Sequence, residues 1–145
     1  MPNIDAYSYH LGAADCFCEM VRAGVKRLAL SHPCDTKEMR DSFLPDFEAL
    51  CRQYGVRFYI EDDPFLTDLF PVSLNQGKFN VIFYQDDSVL QKYLALKDKK
   101  KRSVADGSYD KNRLEIARAY GKLLSYTIAG IDRLLVANDE KEGLY

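Results

Sequence analysis

The chain has 145 residues, 47% hydrophobic and 29% charged, with ten Tyr, eight Phe and no Trp; this suits one domain with a real apolar core and excludes a disordered chain. Twenty Lys and Arg against 22 Asp and Glu leave a formal charge of −2, which offers no general positive field, so nucleic acid is not an expected partner. No apolar run approaches the roughly 20 residues that span a bilayer, and Met1 to Asp5 lacks the basic and apolar blocks of a secretory signal, so a cytoplasmic protein with no membrane partner is expected.

In chain order, Ile4 to Tyr9 is short and aromatic and predicts a first strand that ends at His10. A helix follows from Leu11, with Asp15, Glu19 and Arg22 on one side and Phe17, Met20 and Val21 on the other, and Gly24 ends it. Cys16 and Cys18 lie two apart on that helix and point in different directions, a poor chelate. With Cys34 and Cys51 they are expected to remain thiols in a reducing compartment. Val25 to Leu30 predicts a buried strand, after which Pro33 breaks the pattern. Asp35 and Glu38 have the spacing of a capping box for a helix that reaches Gly55, with a kink or restart near Leu44 because of Pro45.

Val56 to Ile60 predicts the next strand, closed by Glu61-Asp62-Asp63-Pro64. Phe65 to Lys78 is too apolar for a free loop and predicts a short helical turn over Phe65 to Phe70. Phe79 to Tyr84 is the clearest strand, and Asp86, Asp87 and Ser88 after it can cap a helix over Val89 to Arg102. The basic run Lys97 to Arg102 at the end of that helix reads as a solvated face. Two helices, Arg113 to Leu124 and Ile128 to Ala137, then meet across a tight turn with Thr127 as N-cap, and residues 138–145 are expected to fray.

Strands alternating with helices predict a single α/β domain over residues 1–145: about four mostly parallel strands with flanking helices, ending in a C-terminal αα-hairpin at about 109–137. In such sheets the ligand crevice lies outside the carboxyl ends of the strands. Those ends read His10, Ser31-His32, Glu61-Asp62-Asp63 and Asp86-Asp87, so both histidines and the densest acidic groups are expected on one edge. Asp35, Asp87 and Ser88 are accounted for as caps, whereas His10, His32 and Glu61 are not.

The order Tyr9-His10, then Leu30-Ser31-His32, then Ile60-Glu61, with the approach Ala23 to Leu30, resembles the opening of PHP-type and related amidohydrolase barrels over about residues 1–62. The resemblance implies metal ligands at strand ends and a metal-dependent hydrolase. The family's His-x-His reads Ser8-Tyr9-His10 here, its Asp-His reads Ser31-His32, and a full barrel takes about 200 residues or more. Arg57 to Asp63 resembles the acidic strand of a response-regulator receiver, but the next strand follows too soon and ends in Gln85. Phosphate-cradling, dinucleotide and nucleophile-elbow motifs are absent from the sequence.

Two functions follow from these residues. In one, His10, His32, Glu61, Asp62 and Asp63 hold a divalent metal (zinc, manganese or iron) that activates water against a phosphate ester or amide, with a small molecule as the expected ligand. In the other the chain is a non-catalytic binding or assembly protein, with a homo-oligomer among the expected assemblies, acting through the apolar stretch from Phe65 to Leu74 and the C-terminal helices.

Overall fold

The computed structural model describes residues 2–143, and among these it holds seven helices and one three-stranded sheet. The chain opens with a helix, α1 (Ala6–Arg22), where a strand over Ile4 to Tyr9 was expected. Asp5 supplies the reason, because its carboxylate accepts the Tyr7 amide at 3.1 Å and caps the helix well before Leu11. Tyr7, Leu11, Ala14, Cys18 and Val21 then recur every three or four residues on the inward face. That helical period outweighs the strand propensity of the aromatic residues. Gly24, at φ 79°, takes the left-handed conformation that ends the helix.

Only Leu28–Leu30 of the next apolar stretch pairs as a strand, β1. Helix α2 (Lys37–Ser42) is capped by Thr36, whose hydroxyl accepts the Met39 amide at 3.1 Å, while Asp35 pairs instead with Lys78. Helix α3 (Leu44–Tyr54) carries Pro45 in its first turn, where a missing N–H breaks no intrahelical bond, and closes at Gly55. Strand β2 is Arg57–Glu61. A turn-rich segment and the one-turn helix α4 (Val72–Asn75) lead to strand β3 (Asn80–Tyr84), all five residues of which are buried. Helices α5 (Asp87–Asp106), α6 (Tyr109–Leu123) and α7 (Ile128–Ala137) complete the fold, α5 capped by Asp86 and α7 by Thr127.

The strand order is β1-β3-β2, and β3 runs antiparallel to both neighbours. This overturns the expected four mostly parallel strands. Strands β1 and β2 do share a direction, as the α2–α3 connection between them requires, but β3 enters between them from the opposite end. The segment from Asp62 to Phe79 contains no crossover helix able to return the chain to the starting edge, so the last strand pairs in reverse.

Helices lie on both faces of this small sheet. Val81 and Phe83 of β3, with Ala29, pack against α1 and α3 through Cys18, Val21, Phe47 and Leu50. Ile82, Tyr84 and Leu28 face the opposite core, built from Tyr93, Ile116, Tyr120, Ile131 and Leu135. Phe65 and Leu69 are buried in that second core, Phe65 meeting Tyr93 and Tyr120 at ring-centroid distances of 5.9 and 4.9 Å. The apolar segment expected to offer an assembly surface is therefore covered by the chain's own helices at these positions. Residues 138–143, expected to fray, are tied down: Asn138 donates to the Asp68 carbonyl, Glu140 receives the Ser73 amide and hydroxyl, and Glu142 pairs with Lys100. No helix among the described residues is long and apolar enough to cross a membrane.

Candidate functional site

Reversing β3 divides the residues expected on one edge. The carboxyl ends of β1 and β2 share an edge, which holds His32 and Glu61-Asp62-Asp63, whereas Asp86-Asp87 follows β3 at the far edge. His10 reaches the first edge from within α1 and stacks on His32, ring centroids 3.6 Å apart and planes within 10°. Burial and the neighbouring His10 push the His32 pKa below its ordinary value of 6.5, opposed by the charge of Asp35 and assisted by Lys78.

This pairing is ill suited to chelation. A metal lies near the plane of each imidazole that binds it, and two stacked rings have planes that do not meet at a common ion. Among the described residues no three His, Cys, Asp or Glu side chains are grouped to hold a metal ion.

The acidic run after β2 is committed to internal contacts. Glu61 is 3% exposed, and its carboxylate accepts the Tyr93 hydroxyl at 2.5 Å, Lys97 at 2.9 Å and the Asp63 amide at 2.9 Å. Asp62 receives Arg40 at 2.6 Å and lies 3.8 Å from Lys37, and this pairing holds its carboxyl below the usual range. The guanidinium of Arg40, 1% exposed, also donates at 3.0 Å to the main-chain carbonyls of Glu61 and Asn80. It therefore caps the ends of β2 and β3 and fixes α2 beside them. Asp63 offers its carbonyl to Lys97 at 2.7 Å. These contacts describe an ionic clasp between the sheet, α2 and α5, with no carboxylate of Glu61 left to receive a ligand.

A wide concavity lies at the opposite edge. A groove of about 840 Å³ lies between the turn after α1, the length of α5 and the last turns of α6. Its floor is apolar, from Val21, Val89, Leu96, Ala119 and Leu123, and its rim carries six cations: Lys26, Arg27, Lys92, Lys99, Arg102 and Lys122. Lys99 pairs with Glu115 at 2.8 Å and Arg102 with Asp98 at 2.9 Å. Lys26 donates to the Leu124 carbonyl at 2.8 Å, and burial lowers its pKa. Among the described residues no carboxylate lies within ion-pair distance of Arg27, Lys92 or Lys122. Asp86, the one acid on the rim, caps α5 through the Ser88 amide at 2.9 Å, and that bond, together with the charge of Lys92, holds its carboxyl below the usual range.

Local structure explains the rim. Lys92, Lys99 and Arg102 follow one another at seven and three residues, which places them along one side of a helix, with Val89 and Leu96 beside them at the same seven-residue interval. The basic run Lys97 to Arg102 divides by that rule: Lys99 and Arg102 face the groove, while Lys97 turns to Glu61 and Lys100 to Glu142. Sequence reasoning missed the groove because its cations come from three separated segments, and missed Arg40 because nothing local distinguishes it from an exposed helical arginine. A scan of protein-family models, a search of curated proteins and a search of solved structures returned no match to this chain.

Proposed function

We propose that this protein is a non-catalytic binding protein whose groove along α5 holds a small amphipathic anion, a phosphate or carboxylate head on an apolar body. The observation that carries this reading is the set of three cations, Arg27, Lys92 and Lys122, that have no carboxylate within ion-pair distance among the described residues, around an apolar floor in a chain of net charge −2. All three side chains are exposed, and their charges add to a local positive field that a bound anion would neutralise. The groove volume of about 840 Å³ lies within the roughly 300–1,000 Å³ of small-molecule sites, and an apolar lining with few charged groups is the usual composition of such sites. The groove holds no carboxylate, histidine or thiol free to act as acid, base or nucleophile beside these cations, which favours binding over catalysis.

The test is a titration with anilinonaphthalene sulfonate, followed by displacement with octyl phosphate. Saturable one-to-one binding that weakens with salt and falls by about tenfold or more in Lys92→Glu/Lys122→Glu is expected, since losing two opposite charges removes about 1.4 kcal/mol or more. Binding that is unchanged in the reversed-charge protein, or no saturable binding by the folded wild type, would refute the reading. The His10→Ala variant serves as the control that leaves this groove intact.

A further inference from the structure

We propose that a second cleft, beside the His10 and His32 rings, binds one small uncharged planar molecule that carries N–H donors, such as an aromatic carboxamide or a free nucleobase. The cleft has a volume of about 310 Å³ and lies at the edge of the sheet away from the basic groove. Phe17, Leu30 and Phe70 line it with apolar groups, and Asn75 and Asn80 are the amide side chains that line it. A flat π surface is already assembled there, with His10 stacked on His32 and Tyr9 meeting His10 edge-on at 5.4 Å.

The sharpest observation is Asn80. It is 2% exposed, and its side-chain oxygen, closed to solvent in this arrangement, has no hydrogen-bond partner among the described residues, so a ligand in the cleft reaches it once the Asn80 side chain turns outward. Polar groups so placed are nearly always satisfied, and an orphaned acceptor is a standing penalty that an incoming N–H would relieve. Two neighbouring donors are engaged elsewhere. Arg40 is spent on Asp41, Asp62 and the carbonyls of Glu61 and Asn80, and the Val81 amide donates to the Ser31 hydroxyl at 2.8 Å.

The same residues set the charge of the ligand. No Lys, Arg, Asp or Glu lines this cleft, so a carboxylate or an ammonium group would enter it without a counter-ion in its walls, and desolvating either is unfavourable. An uncharged ring can lie against the imidazole and aromatic faces and still offer a proton to Asn80. The proposal does not depend on the function assigned to the groove.

Nicotinamide and adenine are the probes, with benzoate as the counter-probe that keeps a ring but has no N–H and adds a charge. Binding is read from the imidazole resonances of His10 and His32 and the side-chain amide of Asn80 by NMR. Saturable shifts with a dissociation constant of about 1 mM or tighter, the range of ligands this small, are expected for a probe that fits. Benzoate should bind at least tenfold more weakly. Asn80→Leu removes the unsatisfied oxygen at similar volume and should abolish the shifts. His10→Ala, which keeps a good helix former in α1, should weaken binding about tenfold and guards against a misfolded Asn80 variant. Lys92→Glu/Lys122→Glu should leave the shifts unchanged, which separates this site from the groove. Absence of shifts with both probes at about 10 mM, equal binding of benzoate, or full binding by Asn80→Leu and His10→Ala would each overturn the proposal.

Discussion

A single imidazole ties stability to pH here. The folded-state pKa of His32 is depressed below 6.5 by burial and by His10, so the unfolded chain binds that proton more readily than the folded one. Stability then rises with pH wherever the unfolded state holds more protons, and the contribution is complete above about pH 6.5 and lost as pH falls below it. The expected outcome is a melting temperature that drops between about pH 7 and pH 5 in the wild type and drops less in His32→Asn. An identical decline in both proteins would assign the effect to another group. At this scale Glu61 shows how a residue's chemistry was legible while its role was not. A carboxylate after a strand signals an edge, but Tyr93 and Lys97, which saturate it, are more than thirty residues away in the chain.

At the scale of elements, local signals were readable and close approaches were not. The caps at Asp86 and Thr127 and the stops at Gly24 and Gly55 lie in the residues that form them. The helix at Ala6 escaped because Asp5 and the Tyr7-Leu11-Ala14 spacing compete with a short aromatic stretch that reads as strand. The crossing of α6 and α7 is invisible locally, since it depends on Gly121 facing Ile131. A Cβ at Gly121 would stand 2.6 Å from Ile131 Cγ1, and Ile131 is only 2% exposed. Gly121→Ala should therefore destabilise the protein by about 1–3 kcal/mol, overpacking outweighing the gain of up to about 1 kcal/mol in helix propensity. Gly12→Ala in α1, where a Cβ meets nothing within 4 Å, should stabilise by up to about 1 kcal/mol. Thermal or urea denaturation of the two variants checks the opposite signs.

Across the whole molecule, the expected sheet failed on strand direction, which no residue encodes by itself. The apolar stretches at Leu28–Leu30, Arg57–Glu61 and Asn80–Tyr84 do form strands, but whether the last of them returns by a crossover or directly is decided by the chain from Asp62 to Phe79. Once β3 reverses, the polar groups divide between two edges, and the sheet presents a basic groove at one and a histidine-lined cleft at the other.

The central position of β3 also orders events during synthesis. Among the described residues, strands β1 and β2 have no strand partner other than β3, so the chain through residue 61 leaves the ribosome with two strands that are not neighbours in the finished sheet. Only when Asn80–Tyr84 emerges can either sheet ladder close, and a single late insertion then completes both. Closing two ladders around one strand makes a residue paired on both sides a natural member of the folding nucleus. Phe83, fully buried between Ala29 and Phe58, should on replacement by Ala lower stability by about 3–5 kcal/mol, with most of that loss appearing as slower folding in stopped-flow kinetics and little as faster unfolding. If the loss fell mainly on the unfolding rate, the sheet would be assembling after the rate-limiting step. Until β3 is made, a truncated product ending near residue 62 should expose two unpaired edges, and it should aggregate or be degraded where the full chain does not.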